Sequence, residues 1–232
     1  RPQVRDRVFI CATRIAKTGR REQVEPELPD LSGVRQGWDP QQWQLSTQLP
    51  LQKSLSKFEH TYADLSEDER LWINAWDDFV VTMRQELGKS PLPGFPIWAD
   101  DWVDASSLRI PAGTPEWKAN FLRKNADFYT THKRVLDAWL ARWDSLKAFP
   151  PSRRKLEWQA QDAARLWDTV MHLRPSGIRA KKPTYLPALV AITQTSIVGR
   201  AKRRITVREA ARLQGLPDWF DFLDQKLSLI HI

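Results

Sequence analysis

The sequence predicts an α+β protein, mostly helical, on three observations. Two capping boxes introduce apolar residues at helical spacing. A short apolar run near the start reads as one buried strand, and prolines and glycines gather into discrete breakers between segments. The 232 residues leave room for one or two packed units, with regular helices expected mainly between residues 65 and 172.

Residues 1–14 lead into the apolar strand Val8-Phe9-Ile10-Cys11-Ala12, and a polar stretch containing Gln and Pro follows to about Ser54. Ser66, with Glu69 three residues on, opens a helix carrying Trp72, Trp76, Phe79, Val80, Met83 and Leu87 on one side, and Gly88 ends it. Four prolines and two glycines make residues 90–113 a loop region. Thr114-Pro115 starts another helix, with proline at the tolerated first position. Val135, Leu136, Trp139, Leu140 and Trp143 form an apolar stripe closed by Phe149-Pro150-Pro151. Leu156, Ala160, Ala163, Trp167 and Val170 make a further helical stripe, with Arg153-Arg154-Lys155 at its start. Tryptophans at this spacing belong to a core more often than to a stacking platform.

The formal net charge of +8 and a pI near 9.8 favour a polyanionic partner, nucleic acid first and an anionic membrane surface second. Residues 57–105 hold eleven acidic and four basic side chains, a poor surface for DNA. Residues 174–212 hold ten Lys or Arg and a single acid, Glu209. There the run Arg174-Pro175-Ser176-Gly177-Ile178-Arg179 reads as a loop able to approach a backbone closely, which suits phosphate contact and groove insertion. A merely solvated face would look the same. Cys11 is the only cysteine, which excludes an intrachain disulfide and a multi-cysteine zinc site and fits a reducing cytoplasm. No metal is expected. No apolar run is long enough to span a bilayer, so no membrane partner is expected either.

Two segments carry more. In Arg1-Pro2-Gln3-Val4-Arg5-Asp6-Arg7, an extended chain projects Gln3, Arg5 and Arg7 to one side, about 6–7 Å apart per step. Such a trio can fix a phosphate and a polar ligand edge together, and it also fits an edge strand with a solvated face. In residues 203–218, Thr206 and Glu209 form a capping box, Gly215 ends the helix and Pro217 forbids its continuation. Arg208 and Arg212 share a face, and Glu209 is expected to pair with Arg212.

The first segment resembles the Gln-x-Arg-x-Arg motif, motif VIII, of DNA cytosine-5 methyltransferases. The second is similar to motif IX of that family, Arg-x-Leu-Thr-x-Arg-Glu-Ala-Ala-Arg-Leu-Gln-Gly-Phe-Pro, with Ile205 and Leu216 as mild departures. Gly94-Phe95-Pro96-Ile97-Trp98, Arg153-Arg154-Lys155-Leu156-Glu157-Trp158-Gln159 and residues 174–179 also resemble a bacterial branch, so the likeness runs over residues 1–226.

The resemblance implies an enzyme that flips a cytosine out of duplex DNA, attacks it with a cysteine thiolate and methylates C5 from S-adenosylmethionine. Arg7 would meet the O2 edge of the base, with Arg5 and Gln3 in support. Thr206, Arg208, Glu209 and Arg212 look structural, and Arg203 adds a backbone contact. Arg174 and Arg179 are expected to read guanine, with Ser176 and Gly177 allowing close approach. Lys181, Lys182, Arg153, Arg154 and Lys155 would hold phosphates. The division implied is residues 1–16 as the strand remnant of a Rossmann-like methyltransferase domain, 17–199 as a target-recognition domain, 200–226 as the motif IX segment and 227–232 as a non-native tail. The family's Pro-Cys pair, Glu-Asn-Val motif and glycine-rich cofactor loop are absent from the sequence, and Cys11 reads as a small hydrophobe within its strand. The chain is therefore expected to be a C-terminal fragment whose cofactor site lies in a missing N-terminal portion, inactive and poorly soluble alone. The alternatives are the DNA-binding subunit of a two-chain methyltransferase, or a tryptophan-rich interaction module with an incidental basic end.

Overall fold

The computed structural model describes residues 3–4, 39–161, 163–187 and 195–220. Arg5, Arg7 and the expected strand from Val8 to Ala12 lie outside the described residues. Helix formation follows local signals. α1 (Leu45–Gln48) is a single turn that buries Leu45, with Leu49 buried just after it. α2 (Lys57–Ala63) and α3 (Glu67–Leu87) each open on a complete capping box, Ser56 with Glu59 and Ser66 with Glu69. Each serine oxygen accepts from the glutamate N–H, and each glutamate carboxylate accepts from the serine N–H, satisfying donors that a first turn leaves open. Gly88, at φ 58°, closes α3. Ser66→Ala is expected to cost about 1 kcal/mol, seen as a lower urea midpoint.

α4 (Glu116–Thr131) and α5 (Lys133–Arg142) follow, with Pro115 as the N-cap rather than the first helical residue. Their buried Phe128, Leu136 and Trp139 meet the Ile73, Trp76, Phe79, Val80 and Met83 face of α3. Trp139 lies 5.2 Å from Trp76 and 5.3 Å from Phe79, ring centre to ring centre. The Trp76 indole N–H donates to the Arg153 carbonyl at 2.8 Å, and that of Trp139 to the Ala75 carbonyl at 3.1 Å. Such rings can be buried because their one polar group finds an acceptor. These tryptophans are core, while Trp117 and Trp219 stay exposed.

The strands are β1 (Gln3–Val4), β2 (Ile97–Trp98), β3 (Lys155–Gln159), β4 (Val170–Arg174), β5 (Gly177–Lys181), β6 (Leu186–Pro187), β7 (Ile197–Val198) and β8 (Arg203–Arg204). A mixed six-stranded sheet has the order β2-β3-β5-β4-β7-β8, with β3 parallel to β5 and the other neighbours antiparallel. β1 pairs in parallel with β6 in a separate two-stranded sheet. The architecture is α+β and mostly helical, as predicted.

Alternation along the strands gives the large sheet two unlike faces. Leu156, Trp158, Met171, Ile178, Ala180 and Ile197 pack into the helical core. On the opposite face Val170 and Val198 join a second core with Leu45, Leu49, Leu186, Ile205, Ala210 and Leu213. Buried Asp77 ties α3 to the chain between β3 and β4. Its carboxylate accepts from Arg165 at 2.6 Å and from the Trp167 N–H at 3.2 Å.

The helix expected over residues 156–170 is not formed. Pro151–Arg153 makes one 3-10 turn, and Lys155 then opens a strand rather than a helix. Leu156 and Ala160 are four apart, but Leu156 and Trp158 are two apart, and Lys155, Glu157 and Gln159 alternate with them. Cross-strand pairing with β5 decides for the strand. Likewise residues 174–179 are a hairpin whose tip is Pro175-Ser176, not an irregular loop.

α6 (Val207–Gln214) is capped by Thr206 and Glu209 and ends at Gly215, φ 89°. Glu209 does not pair with Arg212. It takes both terminal nitrogens of Arg203, at 2.9 and 2.8 Å, while Arg212 turns to Asp218 at 2.8 Å.

Candidate nucleic-acid interface

The hairpin of β4 and β5, with β3 beside it, brings the predicted DNA-binding side chains onto one sheet face. Gly177 pairs with Arg174 and lies against Lys155, Arg179 pairs with Glu157 on one side and His172 on the other, and Lys181 lies between Gln159 and Val170. Gly177 is required where it stands. Its φ is 144°, and a Cβ there would sit 3.0 Å from the Lys155 Cβ and carbonyl oxygen.

Among the described residues of β3, β4 and β5, four cations thus share the face with one carboxylate. Arg179 donates through Nε to Gln159 Oε1 at 3.0 Å and lies 3.6 Å from Glu157 Oε2. The other Glu157 oxygen accepts from Ser176 Oγ at 3.1 Å. Lys155 lies over the Trp98 ring at 5.2 Å. Lys181 lies over the Tyr185 ring at 4.6 Å and donates to its hydroxyl at 3.3 Å. The Arg174 side chain makes no hydrogen bond or ion pair among the described residues; burial, then the charge of Arg179, holds its guanidinium below the ordinary arginine value. His172 is buried beneath this charge, its Nε2 2.7 Å from Ser196 Oγ and its Nδ1 without a partner. Burial first, then Arg174, Lys181 and Arg179, lower its pKa to about 4.

Other predicted contacts are turned inward. Arg153 donates to the Arg174 carbonyl at 2.7 Å and stacks on Trp72 at 5.3 Å. Arg154 donates to the Phe149 and Lys147 carbonyls and to Asp100. Both guanidinia hold framework contacts, because backbone carbonyls of the neighbouring turns need their donors. Arg203 is buried on Glu209. Lys182 follows β5 and is itself engaged. In α6, Arg208 donates to the Pro217 carbonyl at 3.3 Å and Arg212 to the Pro50 carbonyl at 2.7 Å, so both brace the ends of the helix. Gln3 lies in β1. Sequence reasoning missed Glu157, Gln159 and His172; the alternation of Lys155, Glu157 and Gln159 was the available signal.

Among the described residues, no group of three or more His, Cys, Asp and Glu is placed to hold a metal ion. No helix among them is long and apolar enough to cross a membrane.

The C-5 cytosine-specific DNA methylase family matches residues 1–232. The type II methyltransferase M.AluI of Cellulosimicrobium cellulans is 41% identical over 294 aligned residues, covering 98% of this chain and 56% of that protein. The chain thus spans little more than half the length of the curated relative it matches. No solved structure matches it. A family match that takes in the whole chain sets its membership: the chain belongs to the C-5 cytosine-specific DNA methylase family.

Proposed function

We propose that the chain is the DNA-recognition part of a DNA cytosine-5 methyltransferase, docking on duplex DNA through the charged face of β3, β5 and β4. One observation carries the reading. Lys155, Arg174, Arg179 and Lys181 are gathered on a sheet face with Glu157 as the one carboxylate of β3, β4 and β5, and the Arg174 guanidinium makes no hydrogen bond or ion pair among the described residues. Like charges held together at a partly buried surface oppose folding, and an arriving polyanion removes the conflict.

The whole enzyme would transfer a methyl group from S-adenosylmethionine to C5 of a flipped cytosine, with Arg7 at the base and Arg5 and Gln3 in support. The division into residues 1–16, 17–199, 200–226 and 227–232 belongs to the same proposal. The S-adenosylmethionine site would belong mainly to an N-terminal portion.

The test is duplex binding followed by fluorescence anisotropy as salt rises. Arg174, expected from the sequence to read guanine, is here given a phosphate, so Arg174→Ala and Lys181→Ala are each expected to reduce the salt slope by about one unit. Arg154→Ala is expected to lower the urea midpoint and leave the slope alone, because its guanidinium is committed to Phe149, Lys147 and Asp100. Unchanged slopes for Arg174→Ala and Lys181→Ala would move the docking face elsewhere.

A further inference from the structure

We propose that Gln159 and Arg179 form a single base-reading unit, taking adenine and guanine at neighbouring base pairs, and that Gln159 is a specificity-determining residue. The proposal rests on the reading that this sheet face docks on DNA.

The geometry is one hydrogen bond with consequences for both partners. Arg179 Nε donates to Gln159 Oε1 at 3.0 Å. That contact uses Nε alone. The two terminal nitrogens of Arg179 hold no hydrogen bond among the described residues and remain as a fork for the O6 and N7 acceptors of guanine. The same contact fixes which way the Gln159 amide points. Its Oε1 keeps a second lone pair, and its Nε2, exposed and without a partner among the described residues, keeps both donors. One acceptor and one donor side by side match the N6 amino group and N7 of adenine.

The spacing suits adjacent pairs. Gln159 lies opposite Lys181 and Arg179 opposite Glu157, so the two stand diagonally on the parallel neighbours β3 and β5, two residues apart in register on one face. Such diagonal neighbours lie about 7–8 Å apart and successive bases about 3.4 Å apart, a difference that two long side chains already joined by a hydrogen bond absorb. Glu157, the carboxylate that would repel DNA here, is already met by Ser176 and Arg179. A plain phosphate clamp needs no neutral amide beside it. This face spends an exposed glutamine on orienting its arginine.

The experiment selects duplexes from a randomised pool with the full chain and its variants, then measures affinity for the selected duplex against scrambled DNA. The wild-type chain is expected to select a guanine beside an adenine. Gln159→Glu keeps the acceptor for Arg179 Nε and loses the amide donors. It is expected to hold the guanine and to exchange the adenine for cytosine, whose N4 amino group donates to a carboxylate. Gln159→Ala is expected to relax both positions and to weaken the selected duplex about ten- to a hundredfold, with scrambled DNA little changed. Gln159 is exposed, and matching urea midpoints would show that both variants fold. If Arg179→Ala alters the selected sequence while both Gln159 variants leave it intact, Gln159 has no part in readout, although the face still docks. If Arg179→Ala and the Gln159 variants weaken all duplexes alike, these residues contact phosphate and the unit is refuted. If Arg174→Ala and Lys181→Ala also leave binding and its salt slope intact, the docking reading itself fails.

Discussion

Glu209→Ala is expected to destabilise the chain by about 3–5 kcal/mol, measured as a lower urea midpoint at unchanged slope. The Glu209 side chain is fully buried. One carboxylate there meets four donors: Arg203 through both terminal nitrogens, the Thr206 N–H at 2.9 Å and the Gln52 N–H at 2.7 Å. The Arg203 side chain is only 10% exposed, and hydrogen bonding to Glu209 raises its pKa further above the ordinary value. Removing the carboxylate leaves that cation buried and uncompensated, which is the costly way to break a buried pair. The same residue caps α6 and, through Gln52, fastens the segment after α1 to it, so the loss spreads to the second core. Adding Arg203→Met to Glu209→Ala removes the orphaned charge and is expected to recover part of the stability. Recovery stays partial because the Thr206 and Gln52 N–H groups still lack an acceptor. No recovery at all would mean that the loss does not come from the stranded guanidinium.

This pair also shows what the sequence makes legible. The capping box of Thr206 and Glu209 is readable because it is local, three residues of chain and two backbone donors; Ser66 with Glu69 is readable for the same reason. The choice of Arg203 over Arg212 as the partner of Glu209 is not local. Arg203 reaches Glu209 because β8 runs along the sheet edge immediately before α6, and a helix-spacing rule sees only Arg212, which lies one turn along the helix. Residues 156–170 were ambiguous for a different reason. Leu156 and Ala160 satisfy helical and strand spacing at once, and the deciding partner, Ile178, is remote in sequence.

The candidate site divides along the same line. That positive charge concentrates after residue 174 is a matter of composition, and the break at Pro175-Ser176-Gly177 marks the turn. Which charges face outward together depends on strand register and on the parallel arrival of β3, which supplies Lys155, Glu157 and Gln159 to a face otherwise built from one hairpin. Arg153 and Arg154 look equivalent to Lys155 in the sequence. They differ in the structure because nearby turns expose carbonyls at Phe149, Lys147 and Arg174 that need donors, and a guanidinium supplies several at once. Charge clusters are visible in a sequence; the partition of their members between framework and ligand is a property of the fold.

His172 sets the second large expected effect, a loss of about 3 kcal/mol of stability as pH falls from about 7 to about 4. Its ordinary pKa of 6.5 is lowered to about 4 in the fold, by burial first and then by Arg174, Lys181 and Arg179. Geometry gives the same direction. Nε2 is occupied by Ser196 Oγ, and a proton added at Nδ1 would be buried with no acceptor among the described residues. Above about pH 7 the ring is neutral in folded and unfolded chains alike, and the contribution of His172 is constant. Between about 6.5 and 4 the unfolded chain takes up a proton that the folded chain refuses, so each unit of acidification favours unfolding by about 1.4 kcal/mol. Below about 4 the folded state is protonated as well and the dependence levels off. Glu157, across the Arg179 row, is the one carboxylate of this face and is too few in charge to offset three cations. The measurement is a series of urea unfolding curves across this range for the wild-type chain and for His172→Gln, which keeps a polar group for Ser196 and cannot titrate. The difference between the two is expected to open below about pH 6.5 and reach its full size near pH 4. Parallel profiles would show that His172 takes up its proton without cost, and that the face above it is open to water rather than packed over a neutral ring.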